Sequence, residues 1–299
     1  MEKAPGVRPG ELPARFEERE RLTDHSFRIG ARRSLFDLRL AEVFEYRDLL
    51  YLLVRRDFVA QYKQTLLGPA WHLIQPLMTT AMFTLVFGRI AELPTGGTPP
   101  FVFYLTSVVI WTYFSNVVTR CSGTLISNHA ILSKVYFPRL VMPLVATVSM
   151  LVPLAAQVLL LGAILAFTGL WGPLDAAIAL VWFVPIVVVT AIFGIGLGLL
   201  IAALSVTIKD LRVLVAFGLQ LAMYASAVVY PLTAIPETYR WVIELNPMAI
   251  VLELQRVAFL GTGVADPQQI AVALGVVGIV TFGGMLAFSI VERSYVDTV

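Results

Sequence analysis

Long apolar runs separated by short polar breaks dominate this chain, and the run lengths predict helices that cross a bilayer. Residues 70–88, 101–120, 140–168, 176–204, 212–230 and 269–290 are close to or above the required length, about 20 residues for a helical crossing. The third and fourth are long enough to tilt or protrude. Ahead of them, residues 42–66 (EVFEYRDLLYLLVRRDFVAQYKQTL) place Val43, Tyr46, Leu50, Leu53 and Val54 on one side at helical spacing. Charges interrupt this stretch too often for a span, so it reads as an amphipathic helix lying at the membrane interface. Beyond Asp57 the apolar side shifts toward Phe58, Tyr62 and Leu66, which predicts a bend. Residues 1–40, rich in Pro, Gly, Glu and Arg, read as a charged, partly disordered lead-in, and 41–299 as the transmembrane domain.

The breaks differ in character. ELPTGGTPP (92–100), GLWGPLD (169–175) and SVTIKDLR (205–212) are short turns. CSGTLISNHAILSKVYFPR (121–139) predicts a short helix ending before Pro138, because a residue preceding proline resists helix. Residues 231–268 are too long for a turn and still apolar, which predicts two short helices dipping into the membrane. Non-helical backbone at that depth must be shielded by protein or line a wet cavity. The expected fold is therefore an all-α integral membrane protein. It has six transmembrane helices, an N-terminal interface helix and short re-entrant helices before the last span.

Composition agrees: 58% of residues are hydrophobic and 14% charged, with mean hydropathy +0.80. Soluble domains run nearer to about 45–50% and about 25%. Nineteen of the 22 Lys and Arg fall on one side of the six-span topology, leaving only Arg89, Arg240 and Arg256 opposite. The positive-inside rule then puts both termini in the cytoplasm. The first forty residues hold no apolar signal-peptide core, so the spans themselves are expected to direct insertion. Cys121 stands alone, which rules out an intramolecular disulfide or a cysteine metal cluster.

The chemistry of the runs narrows the function. No Asp or Glu occurs between Leu140 and Leu174 or between Ala176 and Ile208, whereas proton- and sodium-coupled carriers place carboxylates in the membrane. No internal repeat of the kind found in many secondary transporters is visible. His25, His72 and His129 are too dispersed for a metal site, and neither HExxH nor GxxxxGK[ST] occurs. No cofactor is expected in this chain. Gln75, Gln157 and Gln220 read as helix–helix hydrogen-bonding groups ahead of substrate ligands, and Gly194 with Gly198 as a close helix contact. Aromatic residues are the distinctive side chains: Tyr104, Trp111, Tyr113 and Phe114 in the second run, and Phe217, Tyr224 and Tyr230 near seven-residue spacing on the fifth. Aromatic faces suit the C–H surfaces of sugars, so these seven are candidates for a sugar-lined conduit, with lipid packing as the plainer alternative.

Three motifs then carry a resemblance. They are Tyr62-Lys63-Gln64-Thr65-Leu66-Leu67-Gly68-Pro69-Ala70-Trp71 followed by Pro76; Asn128 through Leu132, Ser133, Lys134, Val135, then Phe137-Pro138-Arg139 and Pro143; and Asn246-Pro247 after Tyr230-Pro231. From about residue 35 onward the chain resembles the permease subunits of ATP-binding-cassette exporters of lipid-linked polysaccharides, which carry O-antigen, capsule or teichoic acid. The resemblance implies a homodimer bound to two ATPase subunits that hold ATP and Mg. It implies a Leu-Gly loop at the cytoplasmic entrance (Thr65, Leu66, Leu67, Gly68, Pro69, Trp71). A coupling helix near 123–137 would meet the ATPase through Asn128, Leu132, Lys134, Val135, Phe137, Pro138 and Arg139. A periplasmic gate would use Pro231, Pro236, Tyr239, Trp241, Asn246 and Pro247. Lipid-linked polysaccharide and membrane lipids are the implied ligands, and nucleic acid is not among them. The rival readings are a related exporter of drugs or small lipids, a membrane glycosyl- or isoprenyl-phosphate transferase, and a passive channel.

Overall fold

A computed structural model describes residues 46–62, 67–127, 140–208, 210–264 and 266–296. The expected lead-in 1–40, the ends of the interface helix (42–45 and 63–66) and residues 128–139 lie outside the described residues. The helices are α1 (Arg47–Tyr62), α2 (Trp71–Phe83), α3 (Pro100–Ser127), α4 (Val141–Ser149), α5 (Leu151–Phe167), α6 (Pro173–Thr207), α7 (Leu211–Ala225), α8 (Glu237–Glu244), α9 (Pro247–Leu260) and α10 (Pro267–Val296). A 3-10 turn (Gly68–Ala70) leads into α2, and a π-helical stretch (Thr84–Ile90) continues it. No strand occurs among the described residues.

Among the described residues, five helical segments are long and apolar enough to cross a membrane: Gly68–Ile90, Pro100–Thr124, Val141–Phe167, Asp175–Thr207 and Pro267–Val291. The chain is thus an all-α integral membrane protein. Two details differ from the sequence reading. The expected 212–230 span is helical only to Ala225, and 15 residues cover about 22 Å against a hydrocarbon thickness of about 30 Å. Residues 226–230 form a turn instead, with Ala227 at φ +57. Secondly, α3 continues as helix through Ser127, well past the expected limit at 120.

The third span is two helices joined at Met150, whose N–H donates to Thr147 O, three residues back. Pro153 explains the break, because it has no N–H to offer the carbonyl four residues earlier. α3 is the axis of the bundle: 78% of its most apolar window is buried, against 17% for α2 and for α10. Lipid is as apolar as a leucine side chain, so helices in a membrane pack through small residues and close van der Waals contact. α6 does so on two sides. A Cβ on Gly194 would lie 2.8 Å from Val117 of α3, and one on Gly198 would strike Cys121 of the same helix. Gly196 points the other way, its backbone touching Thr281 and Gly284 of α10. α1 rests on α4, with Leu53 buried among Val141, Met142 and Val145 and flanked by Tyr46, Leu49, Leu50 and Val54.

Candidate translocation site

At one end of the bundle the chain turns from α1 into α2. Gly68 sits at φ +47, a left-handed conformation that glycine adopts without the steric cost a side chain brings. Pro69 follows at the start of the 3-10 turn, where its missing N–H costs nothing. Leu67 and Trp71 are about half exposed at this corner. Thr65 and Leu66 lie outside the described residues.

Polar side chains lock the corner to its neighbours. The Gln61 amide of α1 donates to His72 Nε2 of α2 (2.9 Å), and the Arg120 guanidinium of α3 donates to Gln61 Oε1 (2.8 Å). Gln157 of α5 donates to the His72 carbonyl (2.9 Å), the helix–helix role expected of it. Four helices therefore meet at Gln61 and His72. Beside them a cavity of about 350 Å³ is lined by Arg56, Asp57, Arg120, Thr124 and Met142, among others. The coupling residues Asn128, Leu132, Lys134, Val135, Phe137, Pro138 and Arg139 lie outside the described residues.

The opposite end is organised around α9. Asn246 caps it by accepting from Met248 N (3.0 Å), and its amide donates to Ser226 Oγ (2.8 Å) and Ala225 O (3.2 Å) at the end of α7. Pro247 supplies the first helical residue, and Gly261 at φ +64 closes the helix. Pro231 and Pro236 precede the 3-10 turn Leu232–Ala234 and α8, while Tyr239 and Trp241 of α8 stand exposed. The turn after α5 also reaches α9, through a Trp171 Nε1 donation to Phe259 O (2.7 Å).

Inside α9 lies a group that the sequence reading passed over. Glu253 and Arg256 form a salt bridge of 2.8 Å with side chains 2% and 1% exposed. Arg256 also donates to Ser107 Oγ of α3 (2.9 Å) and to the carbonyls of Ala227, Val228 and Tyr230, and its guanidinium lies 4.2 Å from the centroid of the Phe103 ring. Glu253 accepts from Leu232 N (3.0 Å) and Val264 N (3.4 Å). Burial lowers the Arg256 pKa from its ordinary value, and the Glu253 carboxylate opposes that shift. A buried pair is tolerable only when further hydrogen bonds occupy its remaining donors and acceptors, and these do. The pair also explains why α7 stops short. Carbonyls freed past the end of a helix need donors, and Arg256 provides them across 226–230. The available signal was the i, i+3 acid–base spacing in an otherwise apolar helix, MAIVLELQRVAFL.

The aromatic candidates separate into two groups. Tyr104, Trp111, Tyr113 and Phe114 are at most 5% exposed and packed within the subunit. Phe114 stacks on Phe193 of α6 at 5.2 Å, and Tyr104 meets Phe83 of α2 edge-on at 6.1 Å. Within this chain they are core residues of the central helix. Phe217 and Tyr224 are exposed on α7, and Tyr230 is half-buried, its hydroxyl donating to Tyr224 O (2.8 Å).

The described residues thus form an all-helical bundle with a left-handed glycine corner at one end and short helices folded into the other. A profile of the ABC-2 type transporter family matches residues 48–260. The chain belongs to that family and is an exporter permease subunit. It is 24% identical over 251 residues to an O-antigen export system permease protein RfbA of Klebsiella pneumoniae, covering 84% of this chain and 94% of the relative. A second relative of that name, from Myxococcus xanthus, is 27% identical over 241 residues, covering 80% and 90%.

Proposed function

We propose that this chain is the membrane subunit of an ATP-driven exporter that moves an O-antigen-like, lipid-linked polysaccharide across the bacterial inner membrane. Two copies enclose the channel, and each docks a separate ATPase subunit that binds ATP and Mg. The observation that carries this reading is the match to O-antigen export permeases across nearly their whole length. The termini and the Gly68 corner face the cytoplasm in this reading, and α8 and α9 face outward.

Each part then has a task. The lipid head and first sugars enter beside Leu67, Gly68, Pro69 and Trp71. Residues near 123–137 take the push of ATP-driven closure and pass it into the spans. The polymer slides past the exposed faces of Phe217 and Tyr224, where contacts to sugar C–H surfaces are weak enough to break and re-form. α8 and α9 then control the exit.

Deleting the gene should remove polymer from the cell surface while the lipid-linked form accumulates inside. Membranes carrying the permease with its ATPase should restore ATP-dependent flux in vesicles. Unchanged surface polymer in the deletion strain, with accumulation of a drug or small lipid instead, would move the assignment to the rival exporter class. Flux without nucleotide would move it to a passive channel.

A further inference from the structure

Between α8 and the start of α10, at the end of the bundle that holds the Glu253–Arg256 pair, lies a second cleft of about 340 Å³. Trp241, Glu244, Asp266, Gln268, Gln269 and Val272 are among the residues that line it. Its polar groups are held in place. The Gln269 amide donates to Glu244 Oε1 (2.8 Å), and Asp266 Oδ1 accepts from Gln268 N (3.0 Å). Gln269 Oε1 is buried with no hydrogen-bond partner among the described residues. Trp241 is 61% exposed.

A tryptophan that merely anchors a helix at the headgroup level needs apolar neighbours and a single polar contact. This one shares a cleft with two carboxylates and two amides. That set is chemically specific. Carboxylates only accept hydrogen bonds, and amides accept and donate through separate atoms. A ligand with many hydroxyls and a C–H face fits both the polar groups and the indole. Two carboxylates, with no Lys or Arg among the described lining residues, oppose a phosphate or an acidic sugar. Small-ligand pockets start near about 300 Å³, so the volume suits one or two sugar rings and no more.

We infer that this cleft is a binding subsite for a neutral sugar unit of the polymer as it leaves the permease. The inference rests on the proposal that the cargo is a glycan. A weakly held sugar at the exit lowers the chance that the emerging chain slips back, without stopping its advance.

The test uses the full chain in nanodiscs, titrated with N,N′-diacetylchitobiose, with a neutral oligosaccharide released from the host's own surface polymer, and with digalacturonate. We expect saturable binding of at least one neutral probe, with Kd on the order of 1 mM (about −4 kcal/mol), and none of digalacturonate. Trp241→Ala should weaken neutral binding about tenfold or more, and Trp241→Tyr, which keeps a ring, should hold it within about threefold. Glu244→Gln with Asp266→Asn should let digalacturonate bind. Failure of both neutral probes to saturate, equal binding of the acidic probe, or unchanged binding by Trp241→Ala would each overturn the inference. A deletion strain separates the two levels. If surface polymer survives deletion, the glycan reading itself falls. If polymer is lost on deletion while the cleft binds nothing, only this subsite falls.

Discussion

Replacing Arg256 by Met removes the cation from a buried network while nearly preserving side-chain volume. Glu253 would be left without its ion pair, and the Ala227, Val228 and Tyr230 carbonyls and Ser107 Oγ would lose their donor. Removing one partner of a buried pair typically costs about 3–5 kcal/mol. Part of this loss is offset at Glu253, which keeps two backbone donors, Leu232 N and Val264 N. The lower figure, about 3 kcal/mol, is therefore the working value, and at about 1.4 kcal/mol per tenfold it is roughly a hundredfold in the local opening equilibrium. Hydrogen exchange of the full chain in nanodiscs reads this directly: amides in 226–232 and 261–264 should exchange roughly a hundredfold faster, while the middle of α6 is unaffected. In the double variant Glu253→Gln/Arg256→Met no buried charge remains, so the loss should be smaller than the sum of the two single losses by more than about 1 kcal/mol. Unchanged exchange in Arg256→Met, or strict additivity in the double variant, would refute the idea that the pair fastens the turn after α7 to α9.

Other expectations follow from single contacts. Gly284→Ala places a methyl against the Gly196 carbonyl and should cost about 1–3 kcal/mol, seen as a lower Tm. Gly278→Ala meets nothing within 4 Å and should leave Tm unchanged; equal effects at both positions would contradict the α6–α10 packing. Gly68→Val forces a β-branched residue to φ +47, so polymer export should fall while ATPase association is retained, and normal export by this variant would remove the gating role. Phe217→Ala combined with Tyr224→Ala should slow export without lowering Tm, since both rings are exposed. Trp111→Ala should instead lower Tm by an amount equivalent to about 3–5 kcal/mol, and the reverse pattern would return the conduit to α3.

The sequence alone determined every feature that the bilayer imposes on one segment at a time. A crossing helix must be long, apolar and satisfied within its own backbone, so run length located the five described helical segments that are long and apolar enough to cross. The turn at Gly68-Pro69 was equally legible, because left-handed φ and a missing N–H are properties of two adjacent residues. Which way a residue faces inside a helix that is apolar all round was not legible. Lipid and protein interior are alike in polarity, so hydrophobic periodicity cannot tell Trp111, buried in the core, from Phe217, which is not. Nor could spacing show that Gly196 faces α10 while Gly194 and Gly198 face α3. Only the tertiary structure decided that Arg256 would take carbonyls 26 to 29 residues away. The free ends of one helix find their donors wherever packing brings another, and no local pattern records that distance.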